Sequence, residues 1–206
     1  MDMMEQLASY GAYHSHPINQ LIHVIFVPVI IFTMMVFVSQ IPSVWKVSPE
    51  GSIGGLISVL VGNNGCDINP SFLVFAVYAL YYVALDVKVG SSAALYLYLL
   101  YRAVEPFRQS IMAAGVDRPW TVALVLHIFA WYMQIHPGHA IFEKRKPALL
   151  DSFAQSIMMA PLFVWYEVLF FLGYDKEFKK RLDMKVEEKK ALAGFGKVSH
   201  EKKKNL

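Results

Sequence analysis

Apolar residues are grouped along this chain into long runs rather than into the narrow stripes of a soluble helix. The run 21–38 has eighteen positions without a charge, just enough for a helix to cross a hydrocarbon core of about 30 Å. Shorter runs at 72–85, 89–101 and 121–135 carry few polar positions, although helices of a soluble fold need a polar outer face. The pattern therefore predicts an all-α, polytopic membrane helical bundle.

The bundle is expected to have about four crossings, at 21–38, 72–87, 89–105 and 120–135. A further apolar segment, 152–173, contains Pro161 and is predicted to be kinked or re-entrant. Residues 43–69 are rich in Gly, Ser, Pro and Asn and predict a long loop whose short apolar centre lies in the interface.

Composition supports an association with lipid. Hydrophobic residues make up 56% of the chain and charged residues 17%, against roughly 25% charged in soluble domains. More than half of the 19 Lys and Arg residues follow residue 175. We therefore predict one membrane-embedded domain, 1–175, and a charged cytosolic tail, 176–206, that begins as an amphipathic helix. The lipid bilayer is then the expected partner. The body has too few basic residues for nucleic acid, which is not expected to bind.

The positive charges also predict orientation and compartment. The tail and the trio Lys144, Arg145 and Lys146 should lie in the cytoplasm, which makes the protein multi-pass with both termini cytosolic. Lys203 and Lys204, near the C-terminus, have the form of a dilysine signal for the endoplasmic reticulum membrane. The alternative is a random pair in a lysine-rich tail. The single cysteine excludes an internal disulfide framework.

Six of the seven histidines form two groups along the chain: His14, His16 and His23, and then His127, His136 and His139. Both groups fall at the cytosolic ends of predicted crossings, so they can meet. Ionisable residues inside a crossing are expensive and indicate function, and neutral imidazoles without thiolates suit Fe, Zn, Cu or Mn. The alternative is hydrogen-bonded packing, which is equally acceptable for His16 and His136.

Local spacing adds two supporting residues. Asn19 and His23 are four apart on one helical face, and Pro137 with Gly138 is expected to break the second helix, leaving His136 and His139 on a turn. Glu143 follows that turn in the sequence. Three roles are open for it: a metal ligand, an acceptor that orients an imidazole, or a surface partner of a lysine.

Three ordered segments carry a family resemblance: YHSHPINQLIHVIFVP (13–28), HIFAWYMQIHPGHAIFEKRKPALLDSF (127–153) and APLFVWYEVLFFLGY (160–174). Over about residues 5–175 the chain resembles the 2-hydroxy fatty acid dioxygenase family of the endoplasmic reticulum, best known in fungal phytosphingosine breakdown. The matching positions are His14, Asn19, His23, His127, His139 and Glu143. His16 and His136 lie outside the family pattern, and the sequence IHPGH departs from its phenylalanine-isoleucine-glycine-histidine form.

The resemblance implies an Fe(II)-dependent dioxygenase that uses O2 to shorten a 2-hydroxy fatty acid by one carbon. It implies His14, His23, His127 and His139 as iron ligands, with Asn19 and Glu143 as catalytic residues beside them. One of the basic residues 144–146 would pair with the substrate carboxylate. Two alternatives remain: a non-enzymatic membrane scaffold or metal-binding protein of the endoplasmic reticulum, and a bis-histidine haem protein.

Overall fold

The computed structural model describes residues 3–46, 51–61, 67–147 and 153–194, which are almost entirely helical. The eight α-helices in these ranges are α1 (Met3–Gly11), α2 (Pro17–Val38), α3 (Gly51–Val61), α4 (Pro70–Leu85), α5 (Val87–Ala113), α6 (Pro119–Met133), α7 (Phe153–Phe171) and α8 (Lys176–Leu192). A π-helical segment, Gln134–Glu143, continues α6. Strands β1 (Trp45–Lys46) and β2 (Asp67–Ile68) pair antiparallel, with Trp45 opposite Ile68. The predicted all-α class is confirmed.

Two helices, α2 and α7, are long and apolar enough to cross a membrane by length and composition. Helix α4 is apolar but has only 16 residues. Helix α5 has 27, and its second half carries Arg102, Glu105 and Arg108. Helix α7 runs without interruption through Pro161. The larger number of four crossings stays a prediction, as does a kink or re-entry in the last apolar segment.

The prediction of a long loop over 43–69 was wrong in part. This region contains the 11-residue helix α3 and the strand pair, while residues 47–50 and 62–66 lie outside the described ranges. Apolar residues dominate α3, which explains how a segment rich in glycine and serine still forms a helix. At 11 residues it is too short to span a bilayer.

The chain divides into two compact units, and the first comprises residues 25–134. Helices α4 and α5 pack against each other, and Asp86 links them by ending α4 and accepting a hydrogen bond from the Val89 N–H at 2.8 Å. A Cβ atom at Gly90 would lie 2.0 Å from the Tyr82 carbonyl oxygen. Only glycine therefore permits this close approach of the two backbones.

The second unit comprises residues 1–24 and 135–206. Helix α1 packs on α7 and α8, and a Cβ atom at Gly11 would lie 2.8 Å from Val186 Cγ2. Glu5 forms ion pairs with Lys185 and Lys189 across the same contact. The start of the predicted tail is thus a helix that packs on α1. The domain boundary at 175 stays a prediction, and the dilysine pair lies outside the described residues.

Candidate metal centre

Three histidines from distant parts of the sequence meet inside the second unit. His14 lies between α1 and α2, His23 in the second turn of α2, and His139 in the π-helical segment. Their exposed fractions are 2%, 2% and 3%, and one nitrogen from each lies within 4.8 Å of the others. Each pair of rings meets edge to face, at interplanar angles of 76°, 73° and 84°. The arrangement brings nitrogen donors together in a site shielded from water.

Backbone hydrogen bonds determine which nitrogen carries the proton in two of these rings. His14 Nδ1 donates to the Tyr10 carbonyl at 2.9 Å, and His23 Nδ1 donates to the Asn19 carbonyl at 2.9 Å. A neutral imidazole protonated at Nδ1 has only a lone pair at Nε2. The two Nε2 atoms lie 3.2 Å apart, so two lone pairs face each other.

This geometry fits a shared cation. Two imidazoles that bind one ion at about 2.1 Å, with an angle near 90–109° at the ion, place their nitrogens about 3.0–3.4 Å apart. The observed separation of 3.2 Å lies in that range. His139 Nδ1 is buried and has no hydrogen-bond partner among the described residues, as expected of a nitrogen reserved for a metal. All three donors are imidazoles, which suit Fe, Zn and Cu.

Burial keeps these imidazoles neutral. It holds the pKa of His14 well below its ordinary value, with a further contribution from the nearby His23 and His139 rings. Burial likewise lowers the pKa of His139 to about 4, against an opposing effect of the Glu143 carboxylate. Metal ligation requires the neutral form, so both rings are ready to bind at neutral pH.

Two aromatic side chains pack against the His14 ring. Tyr10 stacks on it with ring centroids 4.2 Å apart and an interplanar angle of 6°. Phe163 of α7 contacts the His14 ring at 5.7 Å and the Tyr10 ring at 4.8 Å. The sequence analysis did not identify Tyr10 or Phe163. The four-residue spacing from Tyr10 to His14 was the available signal, because side chains one helical turn apart are neighbours.

Glu143 holds the two halves of the site together. Its Oε1 accepts from the Ser15 N–H at 3.1 Å, and its Oε2 accepts from the His16 N–H at 2.9 Å and from Asn19 Nδ2 at 3.2 Å. Arg145 lies 3.4 Å from Oε1. The amides of Ser15 and His16 precede α2, where a carboxylate is also favoured by the helix dipole. These hydrogen bonds join the start of α2 to the π-helical segment, and none of them is to an imidazole. A role of Glu143 as a ligand or as an acceptor that orients a ring stays a prediction.

Asn19 connects the carboxylate to a candidate ligand. Its side chain donates to Glu143, and its carbonyl accepts from the His23 ring. Its buried Oδ1 has no hydrogen-bond partner among the described residues. Asn19 therefore aligns the His23 ring from the preceding helical turn.

The prediction that Pro137 and Gly138 break the helix was wrong. Residues 134–143 form a π-helix, in which each N–H bonds the carbonyl five residues earlier. Proline lacks an N–H to continue the α-pattern, and the wider winding accommodates it without ending the helix. Such segments are frequent at functional sites. Here the segment carries both His139 and Glu143 into the site.

Among the described residues, the group of three imidazoles does not include the other predicted histidines. His127 belongs to the first unit, where Trp131 Nε1 donates to its Nε2 at 3.0 Å and its Nδ1 lies 2.7 Å from Thr33 Oγ1. Its role as a fourth ligand stays a prediction. His16 Nδ1 accepts from the Ile18 N–H at 3.2 Å, which caps the start of α2. His136 is exposed on the π-helical segment.

Among the basic trio, Arg145 faces inward. Besides Glu143, its Nη1 contacts the Ala12 carbonyl at 3.1 Å and Ser15 Oγ at 3.4 Å. Lys144 and Lys146 are exposed. Arg145 thus supports the loop that carries His14, and a pairing of any of the three with a substrate carboxylate stays a prediction.

The fold and the site define a class: an all-α protein with two membrane-length apolar helices and a buried three-imidazole centre suited to a metal. Comparison with known proteins is consistent with that class. Residues 1–172 match the family model described as 2-hydroxy-palmitic acid dioxygenase Mpo1-like. The chain belongs to this family, and the resemblance read from its motifs is confirmed.

One relative illustrates how far the similarity extends. The chain is 32% identical over 189 residues to the 2-hydroxy-palmitic acid dioxygenase MPO1 of Saccharomyces cerevisiae, and the match covers 92% of each protein. No solved structure matches the chain significantly.

Proposed function

We propose that this protein is an Fe(II)-dependent dioxygenase that shortens 2-hydroxy fatty acids by one carbon. The observation that carries the proposal is the buried group of His14, His23 and His139, with two unprotonated Nε2 atoms 3.2 Å apart, in a chain of the Mpo1-like family. The overall change, R–CHOH–COOH and O2 to R–COOH, CO2 and water, balances without another co-substrate. The enzyme therefore needs a site that brings the acid and O2 together.

His14, His23 and His139 would hold the iron, which when bound supplies open coordination positions for the hydroxy acid and O2. The chain itself does the positioning. The Tyr10 and Asn19 carbonyls keep the proton on the Nδ1 atoms of two rings, so their Nε2 atoms stay free. Glu143 holds the start of α2 against the π-helical segment, which keeps His23 and His139 together. Buried neighbours such as Phe163 exclude water from the ligands.

We also propose that the enzyme resides in the endoplasmic reticulum membrane with both termini cytosolic. Helices α2 and α7 have the length and composition of membrane spans, and the lysines of α8 favour the cytosolic side. An acyl chain could then remain in the bilayer while its head group reaches the histidines. Epitope tags at each terminus, tested for protease access in sealed microsomes, would check this topology.

The test of the chemistry joins metal analysis to turnover. The full chain, purified anaerobically in detergent and loaded with Fe(II), should consume one O2 per 2-hydroxyhexadecanoate and yield the acid one carbon shorter. Replacement of His14, His23 or His139 by Gln should remove the bound iron and reduce turnover by about 100-fold or more, beyond the 10–100-fold typical of residues that only support ligands. The exposed His136→Gln variant is the matched control and should keep both.

The outcomes separate the alternatives. Full activity in two of the three variants would show that the proposed metal site is wrong. Stoichiometric metal without O2 consumption would identify a metal-binding protein rather than an oxygenase. A strong Soret absorption in the purified protein would identify the bis-histidine haem alternative.

A further inference from the structure

A cavity lies in the unit formed by residues 25–134. Its volume is about 500 Å³, within the range of about 300–1,000 Å³ usual for small-ligand sites. It is lined by the end of α2 at Ser39, the start of α4 at Asn69 and Ser71, and the second half of α5. Two arginines of α5, Arg102 and Arg108, contribute to the lining. None of the residues discussed for the metal centre lines this cavity.

Only part of the Arg108 guanidinium is hydrogen-bonded. Its Nη1 donates to Glu105 Oε2 at 2.8 Å. Its Nε is buried and has no hydrogen-bond partner among the described residues. The edge formed by Nε and Nη2 is the one that binds a carboxylate or phosphate with two parallel hydrogen bonds. A buried donor on that edge requires an acceptor.

The charge around this edge favours an anion. Arg102 adds a second guanidinium, held by its Nη1 against the Tyr98 hydroxyl at 3.0 Å. The start of α4 adds the positive end of a 16-residue helix. Glu105 is the acidic side chain in the lining, but it is 60% exposed and is also bound by Gln109. The cavity therefore keeps a net positive charge.

The position of the cavity indicates what kind of anion would reach it. Helix α2 has 22 residues, a length of about 33 Å, close to the thickness of a hydrocarbon core. The cavity begins at Ser39, directly after this helix. If α2 crosses the bilayer, the cavity lies at the level of the lipid head groups.

We propose that this cavity is a binding site for a phosphate group, supplied by the head group of a phospholipid and held by the Nε and Nη2 edge of Arg108. Arg102 and the N-terminus of α4 add to its attraction for the phosphate. A free phosphate ion offers the same chemistry, but a cavity at the level of the head groups favours a lipid as the source of the phosphate. This site is independent of the proposed dioxygenase activity.

The test uses the full chain, delipidated in maltoside micelles and titrated with dioleoyl phosphatidic acid. Saturable binding with one lipid per chain is expected, and dioleoylglycerol, which lacks the phosphate, should not compete. Arg108→Gln should raise the Kd about tenfold or more, because it removes charge-assisted hydrogen bonds. Arg118→Gln, the same change at an exposed arginine outside the lining, should leave the Kd within twofold. Inorganic phosphate that displaces the lipid at equal concentration would identify the free ion as the ligand of the same site.

One further variant excludes a merely structural effect. Arg108→Gln also breaks the ion pair with Glu105, whereas Glu105→Gln breaks the same pair and leaves the guanidinium. We expect Glu105→Gln to bind phosphatidic acid as well as the unmodified protein or better. Equal losses in Arg108→Gln and Glu105→Gln would overturn the proposal. So would equal losses in Arg108→Gln and Arg118→Gln, or competition by dioleoylglycerol. Unchanged helix content by circular dichroism in every variant would show that the fold is intact, whatever the dioxygenase assay finds.

Discussion

Glu143→Gln is the substitution that best separates a positioning role from a chemical one. The carboxylate accepts on both oxygens: from the Ser15 N–H and Arg145 on Oε1, and from the His16 N–H and Asn19 on Oε2. Glutamine keeps the shape but has one acceptor oxygen and one NH2 donor. In either orientation of the amide, two donors of the site face an NH2 group.

The expected loss of stability follows from this count. A buried donor left without its acceptor costs about 1–3 kcal/mol, so two such donors cost about 2–6 kcal/mol. This is a large part of the roughly 5–15 kcal/mol that stabilises a folded domain. At about 2–4 °C per kcal/mol for a chain of this size, Tm should fall by about 4 °C or more.

The assay is thermal unfolding of the metal-free protein in detergent, followed by iron titration. Glu187→Gln is the control, because Glu187 is 68% exposed and its pair with Lys190 on α8 is worth at most about 1 kcal/mol. We expect a clear loss of Tm and weaker iron binding only in Glu143→Gln. A variant with unchanged Tm and normal iron content but no turnover would refute the reasoning and assign Glu143 to the chemical step.

Three further results are expected. His127→Gln should lower the free energy of unfolding by about 1–3 kcal/mol, because the Trp131 indole N–H loses its acceptor and the Thr33 hydroxyl loses the ring N–H that contacts it. The variant should keep the bound iron; loss of iron at unchanged Tm would instead make His127 the fourth ligand. Burial lowers the pKa of His139 to about 4. The metal-free protein should therefore lose stability as pH falls below about 6.5, because the unfolded chain takes up a proton there that the folded chain does not. A Tm that stays constant between pH 7 and 5 would contradict this. Gly11→Ala should destabilise the fold by about 1–3 kcal/mol, because the added methyl group clashes with Val186. Thermal unfolding should show that adding Val186→Ala in a double variant restores part of this loss.

The meeting of the two histidine groups could be predicted because both fall at the ends of helices that the predicted topology places together. His14, His23 and His139 were found in this way, since their spacing and the apolar runs around them are local features. The proton positions were not predicted, although the sequence spacing offered a signal. A histidine ring reaches the carbonyl four residues earlier in a helix, as His14 and His23 both do.

The π-helical segment was not predicted, because the residues within it favour a helix end. Pro137 and Gly138 favour a helix end by their own preferences. The helix instead continues to Glu143, whose carboxylate is held by the amides of Ser15 and His16, 128 and 127 residues away in sequence. Tertiary contacts of this kind routinely override local preference.

The hydrogen-bond partner of His127 at Thr33 likewise could not be predicted from local sequence. A histidine in an apolar helix fits a metal ligand and a hydrogen-bonded packing residue equally well from sequence alone. The hydroxyl that contacts it belongs to Thr33, which is 94 residues away, and no local pattern identifies that partner. Only the fold could show that both of its nitrogens already have partners.

The unfavourable features of the three-histidine group are themselves an argument for a ligand. Two Nε2 lone pairs held 3.2 Å apart repel each other, and the buried His139 Nδ1 lacks a partner within the described residues. Each feature destabilises the metal-free fold, because buried polar atoms without partners are costly. A cation bound to all three nitrogens would remove both penalties at once, so binding would stabilise the folded chain. A packing role for the histidines would leave both penalties in place, and for this reason the geometry favours a metal centre over a hydrogen-bonded core.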